Sequence, residues 1–161
     1  MLILGVDPGT RNLGYAVLDV TPQRLTLLVG DVLKLKASDS MHERMCLIWE
    51  HLNFLIGQYQ PAHLALEDIF VKLNIQVAFK LGQVRGVVIL AAALAKMGVY
   101  EYSPREVKKA LTGNGNASKE QVAYMARHFF PYLSETALPD MTDAVAVAIC
   151  HSHRLASEGA I

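Results

Sequence analysis

Residues 2–20 read LILGVDPGTRNLGYAVLDV, and this stretch decides the fold because two apolar runs flank a turn-forming segment. LILGVD and YAVLDV are short and rich in Leu, Val and Ile, whereas the intervening PGTRNLG contains Pro, Gly and Asn. The pattern predicts two strands of a β-hairpin. The first run ends on Asp7, so the end of a buried strand carries a charge that packing alone does not require.

The remainder of the chain extends the hairpin into an α/β fold. RLTLLVGDVLKL predicts a third strand, HLALEDIF a central fourth strand covered on both faces, and VYEY a fifth. Apolar spacings of three or four residues and capping patterns predict helices after Ser40, from Asn74 to Met97, after Ser103, after Ser118 and through Asp140. We expect the helix from Asn74 to Met97, which is apolar on nearly every side, to be buried, with a second subunit as one way to cover it.

The order of these elements predicts a three-layer α/β sandwich with one five-stranded mixed sheet. In this sheet the first three strands are antiparallel, and the first, fourth and fifth strands are parallel. Helices are expected on both faces of the sheet. With 161 residues, 52% of them apolar and 19% charged, the chain fits one compact domain over residues 1–161.

Composition also bounds where the protein works. The longest unbroken apolar run, Val87 to Ala95, is well short of the ~20 residues that cross a bilayer, and no signal-peptide pattern opens the sequence. Cys46 and Cys150 are far apart and lack a zinc-type spacing, which favours buried, reduced thiols. We therefore expect a cytoplasmic protein that is not exported and has no membrane partner.

The formal net charge is zero, but the charges are unevenly distributed. Between residues 72 and 127 there are nine Lys or Arg against three Glu and no Asp. This segment predicts a basic face for a polyanion, with ordinary solvated helix charge as the alternative.

Four acids are expected to converge at one edge of the sheet. Asp7 and Glu67 end two strands that we predict to be parallel neighbours, and open α/β sheets bind their ligands at that edge. Asp140 and Asp143 are three residues apart, which places them on one face of the last helix. Each acid also has a simpler explanation, because Asp7 could start a turn, Asp140 could cap the helix and Asp143 could complement its dipole.

Carboxylates at that density repel one another unless a cation lies between them. A site of oxygen ligands without His or Cys favours Mg²⁺ or Mn²⁺ over zinc. Two such ions, about 3.5–4 Å apart, can bind both the attacking and the leaving oxygen during phosphodiester cleavage. The four acids together therefore favour a metal-dependent phosphodiesterase.

Five sequence blocks resemble the RuvC family of bacterial Holliday junction resolvases, within the ribonuclease H-like superfamily. In chain order the blocks are GVDPGTRNLGYAV, LALEDIF, FKLGQVRG, YSPREVKKALTGNGNASKEQV and DMTDAVAVAICH. The resemblance implies a ribonuclease H-like fold and a homodimer that nicks two opposed strands of a four-way DNA junction, leaving 5′-phosphate and 3′-hydroxyl ends. It also implies Mg²⁺ as the cofactor, two ions per site with Mn²⁺ able to substitute, and the branch-migration proteins RuvA and RuvB as partners.

The same resemblance assigns roles to individual residues. The family's catalytic metal ligands fall on Asp7, Glu67, Asp140 and Asp143, and the Asp140 position, which is His in some members, is Asp here. Phe70 matches an aromatic that stacks on a base near the crossover, with a core phenylalanine as the alternative. Lys108 and Lys119 match residues through which the family contacts the DNA backbone. Arg85 and Lys109 are assigned the same role because they neighbour such residues.

Other functions fit parts of the sequence. An actin-like ATPase or kinase lobe also begins with a strand, an aspartate and a Gly-Thr turn, but needs two such lobes and a second phosphate loop. A ribonuclease H-like protein could bind junctions without cutting them, although it would not need all four acids. A related putative resolvase family in RNA processing shares the opening motif but not YSPREVKK and SKEQV.

Overall fold

The structure, a computed structural model, describes residues 1–68, 74–131, 133 and 138–160. The strands in these ranges are β1 Leu2–Asp7, β2 Asn12–Thr21, β3 Arg24–Lys34, β4 His63–Glu67 and β5 Gly98–Tyr102. The helices are α1 Met41–Tyr59, α2 Ile75–Leu94, α3 Pro104–Thr112, α4 Lys119–Phe129 and α5 Pro139–Ser157.

The five strands form one mixed sheet in the order β3-β2-β1-β4-β5. The β1–β2 and β2–β3 pairs are antiparallel, whereas β1–β4 and β4–β5 are parallel, which confirms the predicted topology. The sequence places the end of the fourth strand at the acids Glu67 and Asp68, and β4 ends at Glu67. Residues 69 and 70 lie outside the described residues.

Side chains alternate along the strands between two apolar layers. Ile3 of β1 packs in the layer that contains α5, and its neighbour Leu4 packs in the layer that contains α1 and α2. Both faces of the central strands are therefore covered, and this explains why those strands read as continuous apolar runs. Both cysteines are free thiols; Cys150 is buried as expected, but Cys46 is exposed, so that part of the prediction is wrong.

Two glycines let α5 approach the sheet closely. A Cβ atom at Gly14 would overlap the carbonyl oxygen of Asp140, and one at Gly5 would overlap the carbonyl oxygen of Ala144. Any larger residue at either position would have to push the helix backbone away from the sheet. The N-terminal half of α5 is thus held against β1 and β2.

Helix starts follow the predicted capping patterns with one exception. Complete capping boxes begin α1, α3 and α4 at Ser40, Ser103 and Ser118. By contrast, α5 begins at Pro139, and its N-cap residue, Leu138, makes no side-chain cap hydrogen bond. Asp140 is therefore not the N-cap of α5, and its carboxylate instead accepts a hydrogen bond from Asn12 Nδ2 at 3.0 Å.

Helix α2 is shorter and more exposed than predicted. It ends at Leu94 rather than Met97, and its buried residues are Val84, Arg85, Val88, Ala91 and Ala92. The prediction that this helix is buried holds for one side only, because none of the described helices and strands covers the other.

By length and composition alone, α2 could also cross a membrane, and within the described ranges it is the one helix that could. This is weak support for a membrane span, because the core helix of a globular protein passes the same test. The charged side chain of Arg85, moreover, donates a hydrogen bond to the carbonyl oxygen of Glu67 and forms an ion pair with Glu101. The absence of a membrane partner remains a prediction.

Candidate active site

Three elements bring the four predicted acids to one edge of the sheet. The parallel register pairs Val6 with Leu66, so Asp7 and Glu67 follow as the next residues of adjacent strands. Asp140 and Asp143 enter from the first turns of α5, which Gly14 allows to lie directly against β2. The carboxyl ends of β1 and β4 and the start of α5 therefore share one small volume.

Asp7 lies close enough to the other three acids for their charges to affect its pKa. The pKa of Asp7 is raised to about 7, first because the side chain is buried and then because Asp143, Glu67 and Asp140 repel its negative charge. Burial and the charge of Asp143 likewise raise the pKa of Glu67. The cluster therefore holds more negative charge than its surroundings neutralise, and a cation placed there would lower its energy.

The donor set suits a hard divalent cation, because it offers carboxylate oxygens without His or Cys. Among the described residues, no three Asp, Glu, His or Cys side chains already stand close enough together to hold an ion. A cation at this site would therefore need the carboxylates to lie closer together than they do here.

Comparison with known proteins shows the family of this chain. A sequence profile described as "Crossover junction endodeoxyribonuclease RuvC" matches residues 3–151. The chain belongs to the RuvC family. Relatives that carry this description include a protein of Prosthecochloris aestuarii, 42% identical over 93% of this chain and 80% of its own length. Another, from Heliobacterium modesticaldum, is 42% identical over 96% of both chains.

Solved structures agree with this membership. The structure of Thermus thermophilus RuvC in complex with Holliday junction substrate covers 99% of this chain, and the match covers 96% of that protein, with 33% identity and a TM-score of 0.91. The yeast mitochondrial Holliday junction resolvase Ydc2 shares the fold at 14% identity, with a TM-score of 0.72. The ribonuclease H-like α/β fold expected from the sequence is confirmed.

Two lysines of the RuvC-family blocks lie beside the acids. Lys119 Nζ is 3.6 Å from Asp143 Oδ2, although the lysine side chain is 80% exposed. Burial raises the pKa of Glu67 and of Asp143, and the charges of Lys119 and Lys108 offset part of this rise. Glu67, Lys108, Lys119 and Asp143 line one small cleft of about 60 Å³. The sequence predicted contacts from these lysines to the DNA backbone, and the structure adds that they face the acids.

The other predicted DNA contacts lie elsewhere. Lys109 is exposed and lines a separate, more open cleft with Arg105 and Gly115. Arg85 is only 9% exposed, and its guanidinium already contacts the carboxylates of Asp68 and Glu101. Its role at DNA phosphates stays a prediction, and in this arrangement the guanidinium is paired with two carboxylates. Phe70 lies outside the described residues.

Two contacts at the site were not anticipated from the sequence. Asn12 Nδ2 donates to Asp140, and Arg85 Nη1 donates to the carbonyl oxygen of Glu67 at 2.6 Å. The sequence indicates a turn residue at Asn12 and a basic residue near the DNA backbone at Arg85. The sequence carries no local signal for either contact, since the partners are 128 and 18 residues apart.

Proposed function

We propose that the protein is a structure-selective endodeoxyribonuclease that resolves Holliday junctions in homologous recombination and DNA repair. The observation that supports this most directly is the convergence of Asp7, Glu67 and Asp143 beside Lys119, within a chain of the RuvC family. A Thermus thermophilus relative has been solved with Holliday junction substrate, and the same substrate class suits this site.

Divalent metal ions are the cofactors in this proposal, with Asp7, Glu67, Asp140 and Asp143 as ligands. Two Mg²⁺ ions, for which Mn²⁺ could substitute, would supply an activated water and stabilise the leaving oxygen of the phosphodiester. The raised pKa of Asp7 supports this assignment, because a buried carboxylate among other acids gains most from a bound cation.

In this proposal, other side chains orient the acids, offset their charge or contact the DNA. Asn12 orients the Asp140 carboxylate by its hydrogen bond. Lys119 and Lys108 offset part of the negative charge, which lets a phosphate approach four acids. Because neither lysine is buried, both can also contact the DNA backbone. Lys109 and the stacking residue Phe70 complete the proposed DNA contacts.

We propose a homodimer in which each subunit provides one active site. Exposed apolar residues of α2 support it, and they lie four residues apart: Ile75 with Phe79, and Leu90 with Leu94. Between these pairs, Gly82 and Gly86 face open space, so a partner helix could approach closely there. Two linked active sites would nick opposed strands symmetrically and leave 5′-phosphate and 3′-hydroxyl ends that can be religated.

We make three further proposals, on domain organisation, partners and location. Residues 1–161 act as a single ribonuclease H-like nuclease domain, RuvA and RuvB are partners, and the location is cytoplasmic. The packing of α1, α2 and α5 around one sheet supports the first. The other two rest on membership of the RuvC family.

A cutting assay on synthetic DNA tests the proposed function. With Mg²⁺, the protein should nick a four-way junction at paired sites and leave a linear duplex of the same sequence largely intact. Asp7→Asn and Glu67→Gln should each reduce cutting at least ~1,000-fold while junction binding persists, since the acids hold metal rather than DNA.

Each contrary result has a specific meaning. Equal cutting of duplex and junction would refute junction selectivity. Junction binding without cutting by the unchanged protein would favour a binding function over a nuclease. Loss of binding together with cutting in Asp7→Asn would give the acids a structural role.

A further inference from the structure

A buried arginine of α2 joins two strands at the point where the active-site acid Glu67 is placed. Arg85 Nη1 donates to the carbonyl oxygen of Glu67 at 2.6 Å. Its Nη2 atom lies 2.9 Å from Glu101 Oε1 on β5 and 3.3 Å from Asp68 Oδ1, directly after β4. One guanidinium therefore links α2, β4 and β5.

The main chain at Glu67 needs support from outside the β1–β4 ladder. The registered pairing of β4 with β1 ends at Leu66. On the other side, Asp68 N donates to the carbonyl oxygen of Tyr102 at 2.7 Å, which continues the β4–β5 contact. Arg85 adds a donor to the Glu67 carbonyl, so the backbone there is held from α2 as well as from β5.

The role of this arginine at the site is geometric rather than electrostatic. Burial raises the pKa of Glu67, and the cations whose charge offsets part of this rise are Lys119 and Lys108. The charge of Arg85 is matched by Asp68 and Glu101, both of which are partly exposed. A planar, forked guanidinium can bridge three oxygen acceptors, which a lysine ammonium on the same helix could not do with the same geometry.

We propose that Arg85 is a positioning residue that fixes the main chain at Glu67, and thereby aims the Glu67 carboxylate at the metal site. This inference rests on the proposed role of Glu67 as a metal ligand. Arg85 contacts the main-chain oxygen of Glu67, so its effect on cleavage passes through the backbone of β4.

The test compares Arg85→Met and Arg85→Lys with a matched control, Arg24→Met. The side chain of Arg24 is exposed at the β2–β3 turn, and Arg24 is distant in the sequence from Arg85 and Glu67. Glu101→Gln keeps an oxygen acceptor for Nη2 and serves as the conservative variant. Four quantities are measured for each: junction affinity with its salt dependence, the single-turnover cutting rate at saturating protein, the Mg²⁺ concentration for half-maximal cutting, and the melting-temperature rise caused by Mg²⁺ without DNA.

We expect Arg85→Met and Arg85→Lys to lower the cutting rate about 10- to 100-fold, which is the usual effect of removing a residue that supports a metal ligand. Both variants should also need a higher Mg²⁺ concentration for half-maximal cutting. The melting-temperature rise with Mg²⁺ should shrink in both. Junction affinity and its salt dependence should change less than about twofold, because no phosphate contact is lost. Glu101→Gln and Arg24→Met should stay within about twofold of the unchanged protein in all four quantities.

Several results would overturn the inference. Weaker junction binding with a flatter salt dependence and a normal saturated rate would make Arg85 a phosphate contact. If Arg85→Lys folds and its cutting rate and Mg²⁺ response are unchanged, Arg85 has no positioning role. This variant decides the question if Arg85→Met does not fold. If Glu67→Gln cuts normally, the proposed metal site itself fails; if only the Arg85 variants cut normally, that site stands and this inference alone is lost.

Discussion

Helices α2 and α5 are nearly equal in length, at 20 and 19 residues, and lie on opposite faces of one sheet. The sequence of α2 is the more apolar of the two, yet five of its residues are buried against eleven in α5. Helix α5 is enclosed by the sheet together with α3 and α4, whereas α2 contacts α1 and β5 and leaves its outer side open. Enclosure by neighbouring layers, rather than apolar content, decides burial.

The two helices accordingly serve the active site in different ways. Helix α5 carries Asp140 and Asp143 on a backbone that packs directly against Gly5 and Gly14. Helix α2 contributes no acid, but its Arg85 holds the backbone of Glu67. Its exposed apolar side remains available for a second subunit.

The tight contact of α5 should tolerate no added atom. Gly14→Ala places a methyl group against the Asp140 carbonyl and must shift the start of α5. We expect a loss of about 1–3 kcal/mol in the free energy of unfolding and about a 100-fold slower cutting rate. Chemical denaturation and single-turnover kinetics measure the two effects.

Gly57→Ala in α1 is the matched control, because a Cβ there meets nothing within 4 Å. It should leave cutting unchanged and stabilise the helix by up to about 1 kcal/mol. Equal effects of the two substitutions would contradict the role given to close approach by α5.

One substitution at the C-terminal end of each helix measures the difference in burial directly. Leu155 of α5 is 3% exposed and Leu94 of α2 is 67% exposed. We expect Leu155→Ala to cost about 2–4 kcal/mol of unfolding free energy, because it leaves a cavity, and Leu94→Ala to cost less than about 0.5 kcal/mol in the monomer. Urea denaturation at low protein concentration would refute the comparison if the two losses were alike.

The acid cluster should destabilise the protein when no metal is present. A carboxyl group whose pKa is raised from 3.8 to about 7 binds its proton more tightly in the folded state than in the unfolded state. Its contribution therefore reduces stability as pH rises from about 4 to about 7, and the full cost remains above pH 7.

Removal of that charge should accordingly stabilise the metal-free protein. At pH 8 in a chelator, Asp7→Asn should raise the free energy of unfolding by about 1–3 kcal/mol, with little change near pH 4. Added Mg²⁺ should raise the melting temperature of the unchanged protein more than that of the variant. Destabilisation by Asp7→Asn at pH 8 would show that the Asp7 carboxylate is stabilised by its neighbours rather than repelled.

The exposed side of α2 should matter for assembly rather than for folding. Leu94→Glu places a charge on the apolar residues that support the proposed dimer, and we expect dimer affinity to fall at least tenfold, or about 1.4 kcal/mol. Sedimentation over a range of concentrations measures this change. Leu28→Glu on β3, also at an exposed leucine, should leave the dimer intact, and dissociation by both variants alike would remove α2 from the interface.

Much of the fold could be predicted because its signals are local. The hairpin around PGTRNLG, the strand ends at Asp7 and Glu67, and the capping boxes at Ser40 and Ser103 each depend on residues a few positions apart. Parallel pairing of β1, β4 and β5 then follows from the alternation of strands and helices. From that topology alone, the meeting of Asp7 with Glu67 could be expected.

The remaining features depend on contacts that no local pattern encodes. Whether the outer side of α2 is covered depends on what packs against it. The apolar sequence of the helix would be the same whether that side is covered or exposed. Arg85 reads as one more basic residue until the fold places Asp68 and Glu101 around it. Asn12 reads as a turn residue until α5 brings Asp140 to it.

The sequence by itself determined the order of elements, the topology of the sheet and the identity of the acids at its edge, because strand alternation, capping and turn chemistry act over a few residues. Only the tertiary structure decided how those acids are aimed. Their geometry depends on Gly14 admitting α5 and on Arg85 reaching Glu67, and both are contacts between segments distant in the chain. Such contacts are selected by the shape and charge of the assembled layers, which exist only once the chain has folded.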